Sequence, residues 1–249
     1  MKTGFIGLDL ITGGLPEGGI CQVIDSGMAT GKTSLALSIA SNVSNRGEVV
    51  LYVAMEDVIT KRIAENFGVN NDSFLLLDDP SLIVEAVGDL RPTLVVADSV
   101  SSMGDEDRQY SSISKLCRLL REASPASVFL FLNQQRMHKF SISFSGDRHL
   151  EKWLSMNVSL TPAGTIIKGF RRVGSKVNVT VRMLRPYSPS VSFIMPMMFE
   201  TGFSVRDDLI MRGVESGVIE KGRASSSIDD LKSMENSIIE KWNLKLRER

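Results

Sequence analysis

Ser26-Gly27-Met28-Ala29-Thr30-Gly31-Lys32-Thr33-Ser34 decides how the rest of the chain is read. An apolar, β-prone run from Gly19 to Ile24 precedes it, and a helical run from Leu35 to Ala40 follows. Strand, glycine-bearing turn, Gly-Lys-Thr and helix, in that order, form the context of a phosphate-binding loop. In such a loop backbone N–H groups turn inward to phosphate oxygens. The free N–H groups and positive dipole end of the next helix add to the attraction. Lys32 then reaches the β- and γ-phosphates, and the Thr33 hydroxyl sits on Mg²⁺. One position departs from G-x-x-x-x-G-K-[ST], because Ser26 occupies the first glycine position and Gly27 follows it. All nine residues from Ser26 to Ser34 are assigned to the nucleotide. The plainer alternative is an ordinary strand-to-helix turn with an exposed lysine.

A length of 249 residues suits one large domain, or one domain with a small appendage. Hydrophobic residues at 43% sustain a continuous core. No apolar run approaches the roughly 20 residues that cross a bilayer, so a membrane is not expected as a partner. The opening Met1-Lys2-Thr3-Gly4 passes directly into patterned sequence, without the features of a signal peptide. Cys21 and Cys117 belong to no C-x-x-C motif, which argues against a metal site and for a reducing cytoplasm. The formal net charge is zero, so any nucleic-acid contact needs a local basic patch.

Strands and helices then alternate. Thr3 to Ile20 reads as a helical turn around Leu8 and Leu10 and a glycine-rich loop. Val49 to Met55 is a continuous apolar run of buried parallel-strand type, ending in Glu56-Asp57. A helix from Ile59 to Phe67 with Gly68 as its cap, a strand Phe74 to Leu77 and a helix Ser81 to Leu90 come next. Thr93 to Ser99 is a strand whose four apolar residues end in Asp98, the Walker B signature. An aspartate there holds a Mg²⁺-bound water, or more plainly caps a helix. Gly104 to Gln109 reads as a polar loop and about Ser112 to Glu122 as a helix. A strand from Ser127 to Leu132 ends in Asn133-Gln134-Gln135-Arg136. Beyond Val158 the pattern turns to strands: 158–160, 165–167, 176–182 and 192–199. A helix from Asp207 capped by Gly213, a short element at 217–222 and an amphipathic helix from Ser227 complete the chain. In that last helix Ile228, Leu231, Met234, Ile238, Trp242 and Leu246 form the apolar face. The fold class is α/β, a mostly parallel sheet flanked by helices, with an antiparallel β extension and a terminal helix.

Lys32, Thr33, Glu56, Asp98 and Gln134 therefore collect at strand ends, as in a nucleoside-triphosphatase. A carboxylate at position 56 can activate the attacking water. An amide at position 134 can sense the γ-phosphate and pass its presence to the next loop. Singly, Glu56 also reads as a solvated loop acid and Gln134 as a turn residue.

The constellation resembles the RecA family of recombinases over roughly Thr3 to Lys221. Ala54-Met55-Glu56 sits where the family keeps its catalytic glutamate, and Leu94 to Ser99 matches its Walker B strand. Asn133-Gln134-Gln135-Arg136-Met137 is very similar to the strand end bearing the family's γ-phosphate-sensing glutamine. The resemblance implies a RecA-like core over residues 1–222 and a helical appendage over 223–249. It implies ATP and Mg²⁺ as cofactors, with Lys32, Glu56 and Gln134 catalytic and Thr33 and Asp98 at the metal. A loop from about Gln135 to His149 is implied to bind single-stranded DNA through Arg136, Met137, Lys139, Phe140, Phe144 and Arg148. Arg182 and Arg185 are the local candidates for the basic residues that a neighbouring protomer lends to the ATP site. The other DNA-facing loop of the family corresponds to Ser101 to Gln109, here short and acidic.

The function this resemblance implies is that of a compact, DNA-dependent ATPase. It would pair single-stranded DNA with a homologous duplex and self-associate into a filament or ring. Core-only relatives of this kind occur in bacteriophages and as accessory paralogues. The rival readings are an annealing or mediator protein that uses ATP only to set its shape, and a ring ATPase of the helicase or KaiC type.

Overall fold

The computed structural model describes residues 1–25, 30–55, 59–100, 106–138, 141–144, 150–184, 189–220 and 228–247. At 106–112, 134–138, 141–144, 228–230, 232, 243 and 245–247 the backbone alone is described. The chain enters through α1 (Ile6–Thr12) and β1 (Ile20–Asp25). Next come α2 (Lys32–Ser44), β2 (Val50–Ala54), α3 (Lys61–Asn66) and β3 (Phe74–Leu77). A 3-10 turn (Pro80–Leu82) leads to α4 (Ile83–Leu90), β4 (Leu94–Asp98) and α5 (Glu106–Ala123). The second half holds β5 (Val128–His138), β6 (Ser141–Phe144), β7 (Leu154–Lys168), β8 (Arg171–Met183), β9 (Val191–Met198) and β10 (Gly202–Phe203). Two helices, α6 (Val205–Ser216) and α7 (Ile228–Arg247), end it.

One sheet runs through the molecule in the order β10-β9-β8-β7-β1-β5-β4-β2-β3, with β6 paired to β5 off that path. From β3 to β7 every neighbouring pair is parallel, and from β7 to β10 every pair is antiparallel. Side chains alternate across a strand, and this divides the core. Val128, Leu130 and Leu132 of β5 join the face covered by α1 and α2, while Phe129 and Phe131 join the face covered by α4 and α5. The parallel strands are therefore apolar at nearly every position. Strands β7 to β9 instead alternate buried with half-buried residues, because helices cover one of their faces only.

That covered face is tied down by Arg212 of α6, which is fully buried. Its guanidinium lies over the rings of Phe193 (5.0 Å) and Trp242 (5.1 Å). It donates to Glu215 Oε2 at 2.7 Å and to the Ile194 carbonyl at 2.5 Å. Asp208, one turn earlier, accepts the Gly7 N–H at 2.9 Å. Burial pushes the Asp208 carboxyl up to about 6 against the pull of Arg212. The cluster joins α1, β9, α6 and α7, and Trp242 places α7 in the main core.

Several sequence expectations are corrected. The polar loop at 104–109 is helical from Glu106, because α5 begins there. Segments 158–160 and 165–167 are one strand, continued past an irregularity at Pro162/Gly164 by pairing with β8. Helix α6 does not stop at Gly213 but at Gly217 (φ +74°), which takes the left-handed cap. A Cβ at Gly213 would strike Ile219, so that glycine serves close packing. No regular element forms at 217–220. Met234, placed on the apolar face of the last helix, is 37% exposed, whereas Leu231, Ile238 and Trp242 are buried.

Candidate functional site

The register of the parallel strands brings the polar strand ends to one edge. Asp25, the last residue of β1, lies opposite Gln134 of β5 on one side and Leu160 of β7 on the other. Asp98 closes β4, opposite Ala54 of β2 and Leu132 of β5. Helix α2 starts at this edge with Lys32, and the Gly31 carbonyl accepts from the Leu35 N–H. The first-turn N–H groups of Lys32, Thr33 and Ser34 have no intrahelical partners, and no side chain caps them among the described residues.

Two carboxylates organise the site. Asp98 Oδ2 accepts from the Thr33 hydroxyl at 2.9 Å and from the Tyr52 hydroxyl at 2.7 Å. Burial first, and then the Asp98 charge and hydrogen bond, push the Tyr52 hydroxyl well above its ordinary range, so it remains a donor. Asp25 is 6% exposed. Its Oδ1 lies 2.6 Å from Lys32 Nζ, and its Oδ2 accepts from the Thr30 hydroxyl at 2.8 Å. The phosphate-loop lysine is thus held by a strand-end acid.

A cleft of about 330 Å³ opens here, lined by Asp25, Gly31, Lys32, Thr33, Ser34, Met197 and Phe199. Gly31 has φ +100°, and a Cβ there would strike Met197 Sδ, so only glycine lets β9 close over the loop. Phe199 also lines an adjoining groove of about 550 Å³ with Ile63, Asn66, Phe67, Glu200 and Thr201. The two hollows share Phe199; the first is lined by Asp25, Lys32, Thr33 and Ser34, the second in part by the Phe67 and Phe199 rings.

These residues fit ATP and Mg²⁺. The cation Lys32 and the open first turn of α2 suit phosphate oxygens, and the hydroxyl–carboxylate pair Thr33–Asp98 suits a hydrated divalent ion. Among the sequence candidates, Thr30, Gly31, Lys32, Thr33, Ser34 and Asp98 are brought together. Arg182 lies on β8 opposite Asn157 and does not line the cleft. Ser26, Gly27, Met28, Ala29, Glu56, Arg185, Lys139, Phe140 and Arg148 lie outside the described residues. Gln134, Arg136, Met137 and Phe144 are described by backbone alone.

Sequence reasoning ends the fifth strand at 133–136 and expects a loop from Gln135 to His149. Instead β5 runs on to His138 and folds back on β6, with Gln135 opposite Phe144 and Met137 opposite Ile142. Pairing satisfies backbone groups that an open loop would leave to water. Arg136, Met137 and Phe144 are therefore strand residues of a hairpin arm that rises from the site edge. Asp25 and Tyr52 escape the sequence reading. Their signals are an acid closing the apolar run Ile20 to Ile24 and a lone hydroxyl in Val-Leu-Tyr-Val-Ala.

The model of the RecA N-terminal domain matches residues 1–204. The chain belongs to the RecA family. Among its curated relatives, Protein RecA of Bdellovibrio bacteriovorus is 29% identical, covering 92% of this chain and 68% of the relative. Protein RecA of Nitratiruptor sp. is 26% identical, with 93% and 75% covered. A mitochondrial DNA repair protein recA homolog of Dictyostelium discoideum is 26% identical, with 93% and 57% covered. The crystal structure of a KaiC-like protein from Pyrococcus horikoshii superposes with a TM-score of 0.62 at 20% identity, over 82% of this chain and 96% of that one. This last likeness speaks for the fold. The chain is a RecA-family ATPase by descent. No helix among the described residues is long and apolar enough to cross a membrane.

Proposed function

We propose that this protein is a DNA-dependent ATPase that binds single-stranded DNA and pairs it with a homologous duplex in recombination and repair, in the reducing cytoplasm. The observation that carries the reading is the register of Asp25 with Gln134. By backbone register, residue 134 stands on the strand next to the one whose last residue, Asp25, holds Lys32, and this supports the reading.

Bound ATP with Mg²⁺ supplies the transferable γ-phosphoryl group and the cation that offsets its charge. The residues of the chain do the rest. Lys32 turns from Asp25 toward phosphate oxygens. Thr33 and Asp98 hold the hydrated metal, and Tyr52 fixes the Asp98 carboxylate by donating to it. Glu56 takes the proton of the attacking water. Gln134 donates to the γ-phosphate and orders the arm that starts at Gln135. Arg136, Met137 and Phe144 of the arm, together with Lys139, Phe140 and Arg148, then hold single-stranded DNA, and hydrolysis releases it. Arg182 and Arg185 complete the site of a neighbouring copy in a filament or ring.

Steady-state hydrolysis with and without single-stranded DNA tests the reading. Stimulation of at least tenfold is expected. Hydrolysis that ignores DNA would favour the ring motor, and DNA binding without turnover would favour the mediator. Electron micrographs with an ATP analogue and single-stranded DNA separate filament, ring and small particle.

A further inference from the structure

Lys32 is held by a carboxylate before any phosphate reaches it. Its ammonium lies 2.6 Å from Asp25 Oδ1, and both side chains are largely buried. The Thr30 hydroxyl donates to the other oxygen of the same carboxylate at 2.8 Å. A phosphate that draws Lys32 away therefore leaves a buried acid with a hydroxyl where it had a cation. A buried carboxylate stripped of its cation is strongly unfavourable. The charge of Asp25 calls for another donor once the cleft fills.

Register supplies a candidate. Asp25 is level with Leu160 of β7 on one side and with Gln134 of β5 on the other. Cys21 and Val23 of β1 and Leu130 and Leu132 of β5 belong to the core under α2. Alternation along each strand therefore puts positions 25 and 134 on that same face. Paired strands lie about 4.8 Å apart, a gap that an aspartate and a glutamine side chain can close. Leucine has nothing to donate, whereas an amide carries two N–H donors and one carbonyl. A carboxylate and a γ-phosphate only accept. An amide set between those two anions must give one N–H to each and turn its carbonyl away.

We infer that Asp25 is a positioning residue that exchanges partners with the nucleotide. In the empty cleft it holds Lys32. With ATP, Lys32 goes to the phosphates and Asp25 takes one N–H of Gln134, which aims the other at the γ-phosphate. With ADP the amide lacks its second acceptor, and Lys32 stays shared between Asp25 and the β-phosphate. No covalent bond changes and no proton moves. The same acid thus weakens nucleotide binding as a whole and sharpens the distinction between ATP and ADP. The inference rests on the proposed role of Gln134 as reader of the γ-phosphate, and adds the residue that sets its amide. It requires neither DNA nor hydrolysis.

A double-mutant cycle tests it. Calorimetry measures the Kd of a slowly hydrolysed ATP analogue and of ADP, each with Mg²⁺, for wild type, D25N, Q134A and D25N/Q134A. D25N should tighten the analogue about tenfold when Gln134 is present and about a hundredfold in the Q134A background, where no amide contact is lost with the charge. That tenfold difference lies within the range for residues that touch. For ADP the factor should be the same in both backgrounds. Equal factors for the analogue would overturn the inference and leave Asp25 as a restraint on Lys32 alone. Weaker binding of both nucleotides to D25N would overturn it as well, because a merely structural role moves ATP and ADP together. If D25N does not fold, D25S, also neutral, runs the same cycle. Affinity for a labelled single strand, with the analogue and with ADP, separates this inference from the DNA reading. Non-additivity in a protein whose DNA affinity ignores the nucleotide keeps the role of Asp25 and removes the DNA switch. Additivity in a protein whose DNA affinity follows the nucleotide does the reverse.

Discussion

The parallel and antiparallel halves of the sheet solve different problems with the same backbone. In the parallel half, helices cover both faces, and every residue of β1, β2 and β4 is buried. The two acids at its strand ends are each paired: Asp25 with Lys32 and Thr30, Asp98 with Thr33 and Tyr52. In the antiparallel half one face carries no helix among the described residues, and the covered face is locked by the buried Arg212 between Phe193 and Trp242. The first half is built for chemistry at its edge. The second lines the cleft at that edge with Met197 and Phe199, and its β7–β8 hairpin runs on past the edge.

If the parallel edge is the chemical half, the largest effect belongs to Glu56. Glu56→Gln should lower DNA-stimulated hydrolysis by about 10³, within the usual range for loss of a general base, while an ATP analogue still binds. A variant that keeps its rate would leave the edge without its proposed base.

The antiparallel half should answer in stability instead. Arg212→Ala strands two carboxylates, Asp208 and Glu215, and should cost about 3–5 kcal/mol in urea unfolding. Next in size is the pH response of Asp208. Its carboxyl is raised to about 6 in the fold, so the charged form is disfavoured there relative to the unfolded chain. That penalty is fully present above pH 6 and fades as pH falls toward about 4. Acidification through this window should therefore add up to about 2–3 kcal/mol from this group. Unfolding at several pH values should show the slope in wild type and its loss in Asp208→Asn.

The smallest of these effects returns to the edge. Asp25→Asn removes the charge that holds Lys32 and stands beside the phosphates, so affinity for an ATP analogue should rise about tenfold, near 1.4 kcal/mol. Calorimetry reads it directly, and weaker binding would mean that Asp25 orients Lys32 rather than restraining it.

Legibility in the sequence divides along the same line. Buried parallel strands write themselves as short apolar runs, so β1, β2, β4 and the first part of β5 are visible, and with them Lys32, Thr33 and Asp98. Asp25 is easily passed over because the motif draws the eye to the loop, whereas its role depends on Lys32 folding back seven residues. Tyr52 looks apolar until Asp98 is placed on the neighbouring strand. The β5–β6 arm reads as a loop because Gln135 to His138 lacks the apolar alternation of a half-buried strand. Its ladder is set by cross-strand pairing, which a linear pattern does not show. Gly213 misleads as a cap because a glycine kept for packing against Ile219 reads like one kept for its backbone.

The central claim is that one nucleotide is read at the cleft and reported to DNA through the strand that carries Gln134. The affinity for a labelled single-stranded oligonucleotide, measured with a slowly hydrolysed ATP analogue and again with ADP, tests it most directly. Binding at least tenfold tighter with the ATP analogue is expected, a coupling of about 1.4 kcal/mol or more. Equal affinity in the two nucleotide states would contradict it.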